Sequence, residues 1–240
     1  MKKNYKKETI KFLKMGCLPH VFLGDIIPIY LDSRKISFCF EDELLISDFK
    51  QAAKIGKKLI KNYQIMMIPI VVPYGDEALK ILFFIKDQKL LEELDNFQKF
   101  LLNNNSFKKD PFENEKIINK LGEILNYPKC CIKNFVNTRK KKNNIEEEYS
   151  KKLSKKEINN FLPFFAYEFY PCSFTCKKSV DIGKKISSSM KKEDKFLDEA
   201  FKIILEMNHD KLKNIYHSFE DRFNNRINWN GKIYELAKRK

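Results

Sequence analysis

The N-terminal half of the chain switches between two kinds of hydrophobic pattern. Apolar residues recur every three or four positions in three segments, which predict amphipathic helices: 4–14, 43–63 and 90–102. Four shorter segments are rich in β-branched and aromatic residues and predict strands: 21–30, 35–40, 66–73 and 78–85. The last two flank the turn-like sequence Tyr74–Gly75–Asp76 and predict an antiparallel hairpin. Residues 1–105 are therefore predicted to form a small α+β domain.

After residue 110 the pattern favours helices and no convincing strand. Four segments predict helices: 113–125, 129–137, 173–189 and 192–207. Pro128 separates the first two, because the residue before a proline leaves the helical region and a proline fits the start of the next helix. The very polar stretch 139–156 predicts a loop. Residues 110–240 are predicted to form a mainly helical domain, so the predicted fold class is α+β.

Six cysteines supply the candidate chemistry, and four of them form two compact groups in the helical half. Cys130 and Cys131 are adjacent, and Cys172 lies four positions before Cys176; a Tyr-Pro pair precedes each group. Four thiolates are the ligand set of a closed zinc site or of a [4Fe–4S] cluster. The other two, Cys17 and Cys39, are predicted to be ordinary buried thiols, since free cysteine packs as a small hydrophobe.

The spacing leaves the metal open. Cys172 and Cys176 have the separation of a zinc-binding pair. Adjacent cysteines on a helix point about 100° apart, which suits a larger cluster better than one small ion. We therefore predict an iron–sulfur cluster with a redox or sulfur-related role and keep zinc as the alternative. A third interpretation is a metal-free thiol redox protein, in which a vicinal pair is activated near a helix N-terminus.

The two cysteine motifs also resemble a family. The sequence Asn-Tyr-Pro-Lys-Cys-Cys-Ile-Lys-Asn-Phe and the later Tyr-Pro-Cys-Ser-Phe-Thr-Cys-Lys-Lys-Ser are similar to the double motif of domain-of-unknown-function family 483, an uncharacterised family seen mainly in archaea. The resemblance covers roughly residues 115–190. It extends to nine positions: Tyr127, Pro128, Cys130, Cys131, Phe135, Pro171, Cys172, Cys176 and Ser179. Members often carry His where Tyr170 stands, so it implies no histidine ligand there. It implies the site and no established reaction.

Charge adds a candidate partner. Lys and Arg total 47 against 32 acidic residues, a net charge of +15, and the excess is larger after residue 110. Solvated helix faces in a lysine-rich proteome would explain this. A surface for RNA or another polyanion is the alternative explanation. The basic candidates for such a surface are these: Lys133, Arg139–Lys142, Lys177, Lys178, Lys184, Lys185 and the stretch 222–226.

Other function classes receive no support. The hydrophobic fraction of 43% is sufficient for a core, which excludes a fully disordered chain. No apolar run approaches the roughly 18 residues of a membrane span, and no signal peptide is evident, so a cytoplasmic protein is predicted. Phosphate loops and hydrolase motifs are absent from the sequence. Catalytic residues, enzymatic activity and oligomeric state stay open. The alternative function is a non-enzymatic structural-zinc protein with a basic RNA-binding surface.

Overall fold

The predicted α+β class is confirmed. The computed structural model of the chain describes residues 3–40, 44, 49–74, 77–104, 114–140, 171–173, 176–213 and 219–239. In this part of the chain, helices surround a three-stranded antiparallel sheet. The helices are α1 (Tyr5–Leu13), α2 (Pro19–Val21), a π-helical turn (Phe22–Ile26), α3 (Ile27–Tyr30), α4 (Phe49–Tyr63), α5 (Leu90–Asn104), α6 (Glu115–Ile124), α7 (Lys129–Lys140), α8 (Lys177–Glu193), α9 (Lys195–Lys213) and α10 (Phe219–Lys238).

The sheet contains the predicted hairpin at its centre. The strands are β1 (Ile36–Phe40), β2 (Met66–Tyr74) and β3 (Glu77–Ile85), in the spatial order β1-β3-β2. Since β3 is the middle strand, its residues 81–85 are all buried. Leu82 and Phe84 belong to one hydrophobic core, whereas Ile81 and Phe83 belong to another on the opposite face. This alternation follows from the two-residue period of a strand. The predicted turn at 75–76 lies outside the described residues.

The predicted strand at 21–30 is wrong, because this segment is helical. It comprises α2, the π-helical turn and α3, and each of the two α-helices has a proline in its first turn. The segment is a nearly continuous apolar run whose side chains are almost all buried. A buried helix and a buried strand both produce such a run, and periodicity cannot separate them.

The hydrophobic cores join segments that are far apart along the chain. The larger core contains residues of α1, α4 and β3 together with residues of α8, α9 and α10. The second core lies between the sheet and the helices α5 and α6. The domain boundary predicted between 105 and 110 lies outside the described residues, and the division into two domains stays a prediction. None of the described helices combines the length and apolarity that crossing a bilayer requires.

Candidate metal centre

A tight reversal of the chain places the first pair of cysteines. Asn126 adopts a left-handed conformation with φ of 56° just after α6. Its backbone N–H donates to the Glu123 carbonyl, and the N–H of Tyr127 donates to the Gly122 carbonyl, both at 2.9 Å. These two bonds form a Schellman motif, which ends a helix by satisfying its last carbonyls. Because α7 begins at Lys129, Cys130 and Cys131 occupy its first turn.

The second pair lies at the start of another helix. Cys176 is the N-cap residue of α8. Cys172 belongs to the short described segment 171–173, where Pro171 is buried. The backbone N–H of Cys172 donates to the Sγ atom of Cys131 at 3.4 Å. This bond links the two cysteine groups directly.

The four sulfur atoms meet at one point, as the sequence predicted. All four Sγ atoms lie within 4.8 Å of one another, and the group could hold a metal ion. Three of the separations are 3.7 Å for Cys131 to Cys176, 3.8 Å for Cys130 to Cys176 and 3.9 Å for Cys130 to Cys131. The Sγ atoms of the two adjacent cysteines therefore lie close together, although neighbouring side chains on a helix diverge.

Burial is uneven among the four thiols. Cys131 is 1% exposed and Cys176 is 9% exposed, whereas Cys172 is half-buried and Cys130 is exposed. The Oγ atom of the fully buried Ser179 lies 3.2 Å from the Sγ atom of Cys131. Ser179 is in the first turn of α8, three residues after Cys176, so one helix supplies both a sulfur and a hydroxyl to the site.

The surroundings shift the pKa values of these thiols in opposite directions. Burial raises the pKa of Cys131 well above its usual range, and burial with the neighbouring thiols raises the pKa of Cys172 to about 11. Burial acts on Cys176 in the same sense, but hydrogen bonds from the hydroxyl and backbone of Ser179 and from neighbouring thiols outweigh it and lower its pKa to about 7. Protons and a metal ion compete for such sulfur atoms.

The two helix N-termini at the site carry positive charge. The N-termini of α7 and α8 both adjoin the site, and the positive ends of helix dipoles stabilise thiolates. The first turns of the two helices contain no acidic residue. They carry the exposed Lys129, Lys177 and Lys178 instead, and Lys133 is exposed one turn further along α7. Lysine at a helix N-terminus opposes the dipole, so nearby negative charge would offset this cost.

A partly buried polar network connects the site to the N-terminal half. Arg34 lies with one guanidinium nitrogen 3.3 Å from the hydroxyl of Tyr127 and another 3.4 Å from a carboxylate oxygen of Asp25. Ser37 donates a short hydrogen bond to the same oxygen of Asp25. The sequence prediction missed this network, since a lone Arg and a lone Asp carry no spacing signal. Tyr127 also packs against the buried Cys131 and Cys176.

The other cysteines lie away from this site, as predicted. Cys17 is fully buried in the larger core, where burial raises its thiol pKa far above the usual range, and it forms an isolated bridge with Leu44. Cys39 pairs with Leu82 in the sheet and is 1% exposed. Tyr170 and most of the predicted loop 139–156 lie outside the described residues, as do the side chains of 222–226.

Comparison with known proteins identifies a family. The family model described as protein of unknown function (DUF483) matches residues 53–208, which is well over half of the chain. The chain therefore belongs to this family. The matched range contains all four clustered cysteines and Ser179. Neither the curated proteins nor the solved structures include a match to this chain.

Proposed function

We propose that this member of the DUF483 family binds one zinc ion through Cys130, Cys131, Cys172 and Cys176, and that the ion has a structural role. The distances between the four sulfur atoms carry the proposal. In a tetrahedral site with Zn–S bonds of about 2.3 Å, neighbouring sulfur atoms are about 3.8 Å apart. The three separations of 3.7, 3.8 and 3.9 Å correspond to edges of such a tetrahedron.

A single ion fits these distances better than the iron–sulfur cluster that the sequence favoured. In a [4Fe–4S] cluster each cysteine binds a different iron, so the cysteine sulfur atoms stand outside the cluster and further apart than sulfur atoms sharing one ion. All four atoms lie within 4.8 Å here. Opening the site for a cluster would require α7 and α8 to separate at their N-termini.

Zinc is the preferred single ion on chemical grounds. Four thiolates in a tetrahedron suit zinc or iron. Between the divalent ions, zinc binds a given set of ligands more tightly than iron does. The exposed lysines at the two helix N-termini are compatible with any divalent ion in this site, because such an ion bound by four thiolates carries a net charge of minus two.

The geometry favours a structural role. With four protein ligands, a tetrahedral ion has no open position for a substrate or a water molecule. The ion would connect three segments: the start of α7, residues 171–173 and the start of α8. Among the described residues, those around the sulfur atoms bury few apolar side chains of their own, so the bound ion would supply much of the local folding free energy.

Metal analysis of the full chain tests the proposal. The protein is purified anaerobically without added metal, and zinc, iron and acid-labile sulfide are measured per chain. We expect one zinc, no labile sulfide and no visible absorption. Replacement of zinc by cobalt should give the sulfur-to-cobalt charge-transfer band of a tetrahedral thiolate site, at one equivalent of cobalt.

Three results would overturn the proposal, each in favour of a different site. Iron with an equal amount of labile sulfide would establish a cluster. One iron without sulfide would establish a mononuclear iron site. Metal-free protein whose thiols cycle between dithiol and disulfide, with no zinc uptake on titration, would establish a thiol redox protein.

A further inference from the structure

Helix α8 carries three pairs of lysines at a regular interval. The pairs are Lys177 with Lys178, Lys184 with Lys185 and Lys191 with Lys192. Each pair follows the previous one by seven residues, which is two helical turns and about 10.5 Å along the axis. All six side chains are exposed. We call these six residues the lysine face of α8.

The opposite side of α8 is fixed in the protein. Its buried residues are Ser179, Gly183, Ile186 and Met190. Ile186 and Met190 belong to the larger hydrophobic core, together with residues of α9 and α10. The lysine face is therefore held outward on a rigid helix, and it extends over about 21 Å from the first pair to the last.

Little negative charge offsets this face. Asp181 is the one exposed acidic residue within α8, and Glu193 at its end accepts a hydrogen bond from Tyr5 at 2.6 Å. Within the described residues, none of the six lysines forms an ion pair. Lys177 and Lys178 also oppose the dipole of their own helix. The last pair stabilises the C-terminal end of the α8 dipole, but the first two pairs bring the helix no such gain, and their concentration points to an anionic partner.

A nucleic acid backbone fits this face better than a membrane does. Amphipathic helices bind membranes by burying an apolar face in the lipid while basic residues contact the headgroups. In α8 the apolar residues are already buried in the protein. A nucleic acid duplex instead presents about one negative charge per 1.7 Å of its axis, and it requires only positive charge along a line.

We propose that the lysine face of α8 binds the phosphodiester backbone of a nucleic acid without reading its sequence. Lysine contacts phosphate as a point charge, and contacts to phosphate position a protein without conveying base identity. Lys129 and Lys133 on α7 are also exposed. The inference does not depend on which metal the cysteines bind.

The binding of labelled oligonucleotides by fluorescence anisotropy tests this proposal on the full, metal-loaded chain. Single-stranded RNA, double-stranded RNA and double-stranded DNA of unrelated sequences are titrated between 50 and 200 mM salt. Six phosphate contacts predict that the logarithm of the association constant falls with the logarithm of the salt concentration with a slope of about −5 on a duplex. Comparison of the three ligands identifies which nucleic acid is preferred.

The central pair provides the decisive variant. Lys184→Gln with Lys185→Gln should make the slope shallower by about 1.8, since each contact contributes about 0.9, and should weaken binding to all sequences alike. Glutamine is a good helix former, so α8 should persist. Metal content and the thermal midpoint verify this. The matched control, Lys54→Gln with Lys57→Gln, removes two exposed lysines from α4 and should leave the slope unchanged.

Three outcomes would overturn the proposal. The first is that the wild-type chain fails to bind any of the three nucleic acids at 50 mM salt. The second is that the control variant weakens binding as much as the α8 variant, which would show a diffuse charge effect. The third is that the α8 variant loses binding to vesicles of phosphatidylserine and phosphatidylcholine while it keeps its binding to nucleic acid, which would assign the face to a membrane.

Discussion

Cys39 and Cys131 are equally buried, at 1% exposure each, but their surroundings differ completely. Cys39 lies in β1 opposite Leu82 and belongs to the larger hydrophobic core. Cys131 lies against two other sulfur atoms and the hydroxyl of Ser179. Burial therefore does not distinguish a packing thiol from a candidate ligand. The polar atoms that share the buried space do.

The regions around these two cysteines differ in the same way. The larger core contains apolar side chains from both ends of the chain, including Phe12, Phe22 and Tyr63, which form aromatic contacts. Among the described residues, the hydrophobic cluster at the metal centre has Cys131 and Cys176 as its buried members. Hydrophobic stabilisation grows with buried apolar area, so the first region should fold without a metal and the second should depend on one.

The largest expected effect comes from replacing one cysteine by serine in each region. Cys131→Ser should abolish stoichiometric zinc binding, because it removes a buried ligand, and should cost several kcal/mol around α7 and α8. Cys39→Ser buries a hydroxyl and should cost about 1–3 kcal/mol, but should retain one zinc per chain. Metal analysis and hydrogen exchange measure both effects. Equal retention of zinc by the two variants would contradict the assignment of Cys131 as a ligand and of Cys39 as a packing residue.

A smaller effect is expected from the hydroxyl beside the sulfur atoms. Ser179→Ala should weaken zinc binding by about 10- to 100-fold, the usual effect of removing a group that hydrogen-bonds to a metal ligand. It should also raise the pKa of Cys176, which the hydroxyl of Ser179 helps to lower to about 7, so the loss should be greatest at low pH. Competition with a chromophoric chelator between pH 6 and pH 8 measures this.

Ser189→Ala is the matched control on the same helix. The Oγ atom of Ser189 donates to the backbone carbonyl of Lys185 at 2.9 Å, away from the sulfur atoms. This variant should bind zinc as the wild type does. Equal weakening in both variants would attribute the effect to α8 as a whole and not to the hydroxyl of Ser179.

The packing of α6 against α7 gives a third, still smaller effect. A Cβ atom at Gly122 would lie 2.8 Å from two carbon atoms of Ile132, the residue after Cys131. Gly122→Ala should therefore cost about 1–2 kcal/mol by overpacking and weaken zinc binding by displacing α7. At Gly231 in α10 a Cβ atom meets nothing within 4 Å, so Gly231→Ala should stabilise by up to about 1 kcal/mol. Thermal unfolding distinguishes the two, and destabilisation by both would contradict the packing argument.

The sequence predicted the local elements of this site better than its long-range contacts. Tyr127 and Pro128 marked the boundary between α6 and α7, and the spacing of the four cysteines indicated their grouping. The role of Asn126 in reversing the chain follows from a left-handed conformation, which the sequence alone leaves open. The contact of Arg34 with Tyr127 joins residues that are 93 positions apart, and no local pattern encodes it.

The misassigned segment 21–30 and the geometry of the adjacent cysteines both depend on distant parts of the chain. Local patterns describe neither environment completely. A continuous apolar run argues against a helix only if one face of that helix is assumed to be exposed to solvent. Adjacent cysteines disfavour a single ion only if both side chains must point straight outward. At the first turn of α7, the Sγ atoms of Cys130 and Cys131 approach to 3.9 Å.

The smallest effect is expected in the apolar region, from an ion cluster at its rim. Glu8 lies 2.9 Å from the Nζ atom of Lys11 and 3.5 Å from that of Lys58. Burial alone would raise the pKa of Glu8, but the hydrogen bond from Lys11 and the charge of Lys58 outweigh it and lower the pKa. A carboxylate with a lowered pKa stabilises the fold above the pKa of the unfolded chain, and this contribution is lost as the pH falls.

Glu8→Gln should thus lower the free energy of unfolding at pH 7 by less than about 1 kcal/mol, given the partial exposure of the ion pairs. The difference from wild type should vanish as the pH falls below the lowered pKa of Glu8, because the wild-type carboxylate is then protonated. Thermal unfolding of both proteins from pH 3 to pH 7 measures it. Protonation of thiolates should release zinc at a higher pH in both proteins alike, so the two regions should respond to acid in separate windows. A gap between the variants that does not narrow as the pH falls to 3 would show that Glu8 acts by packing and not by charge.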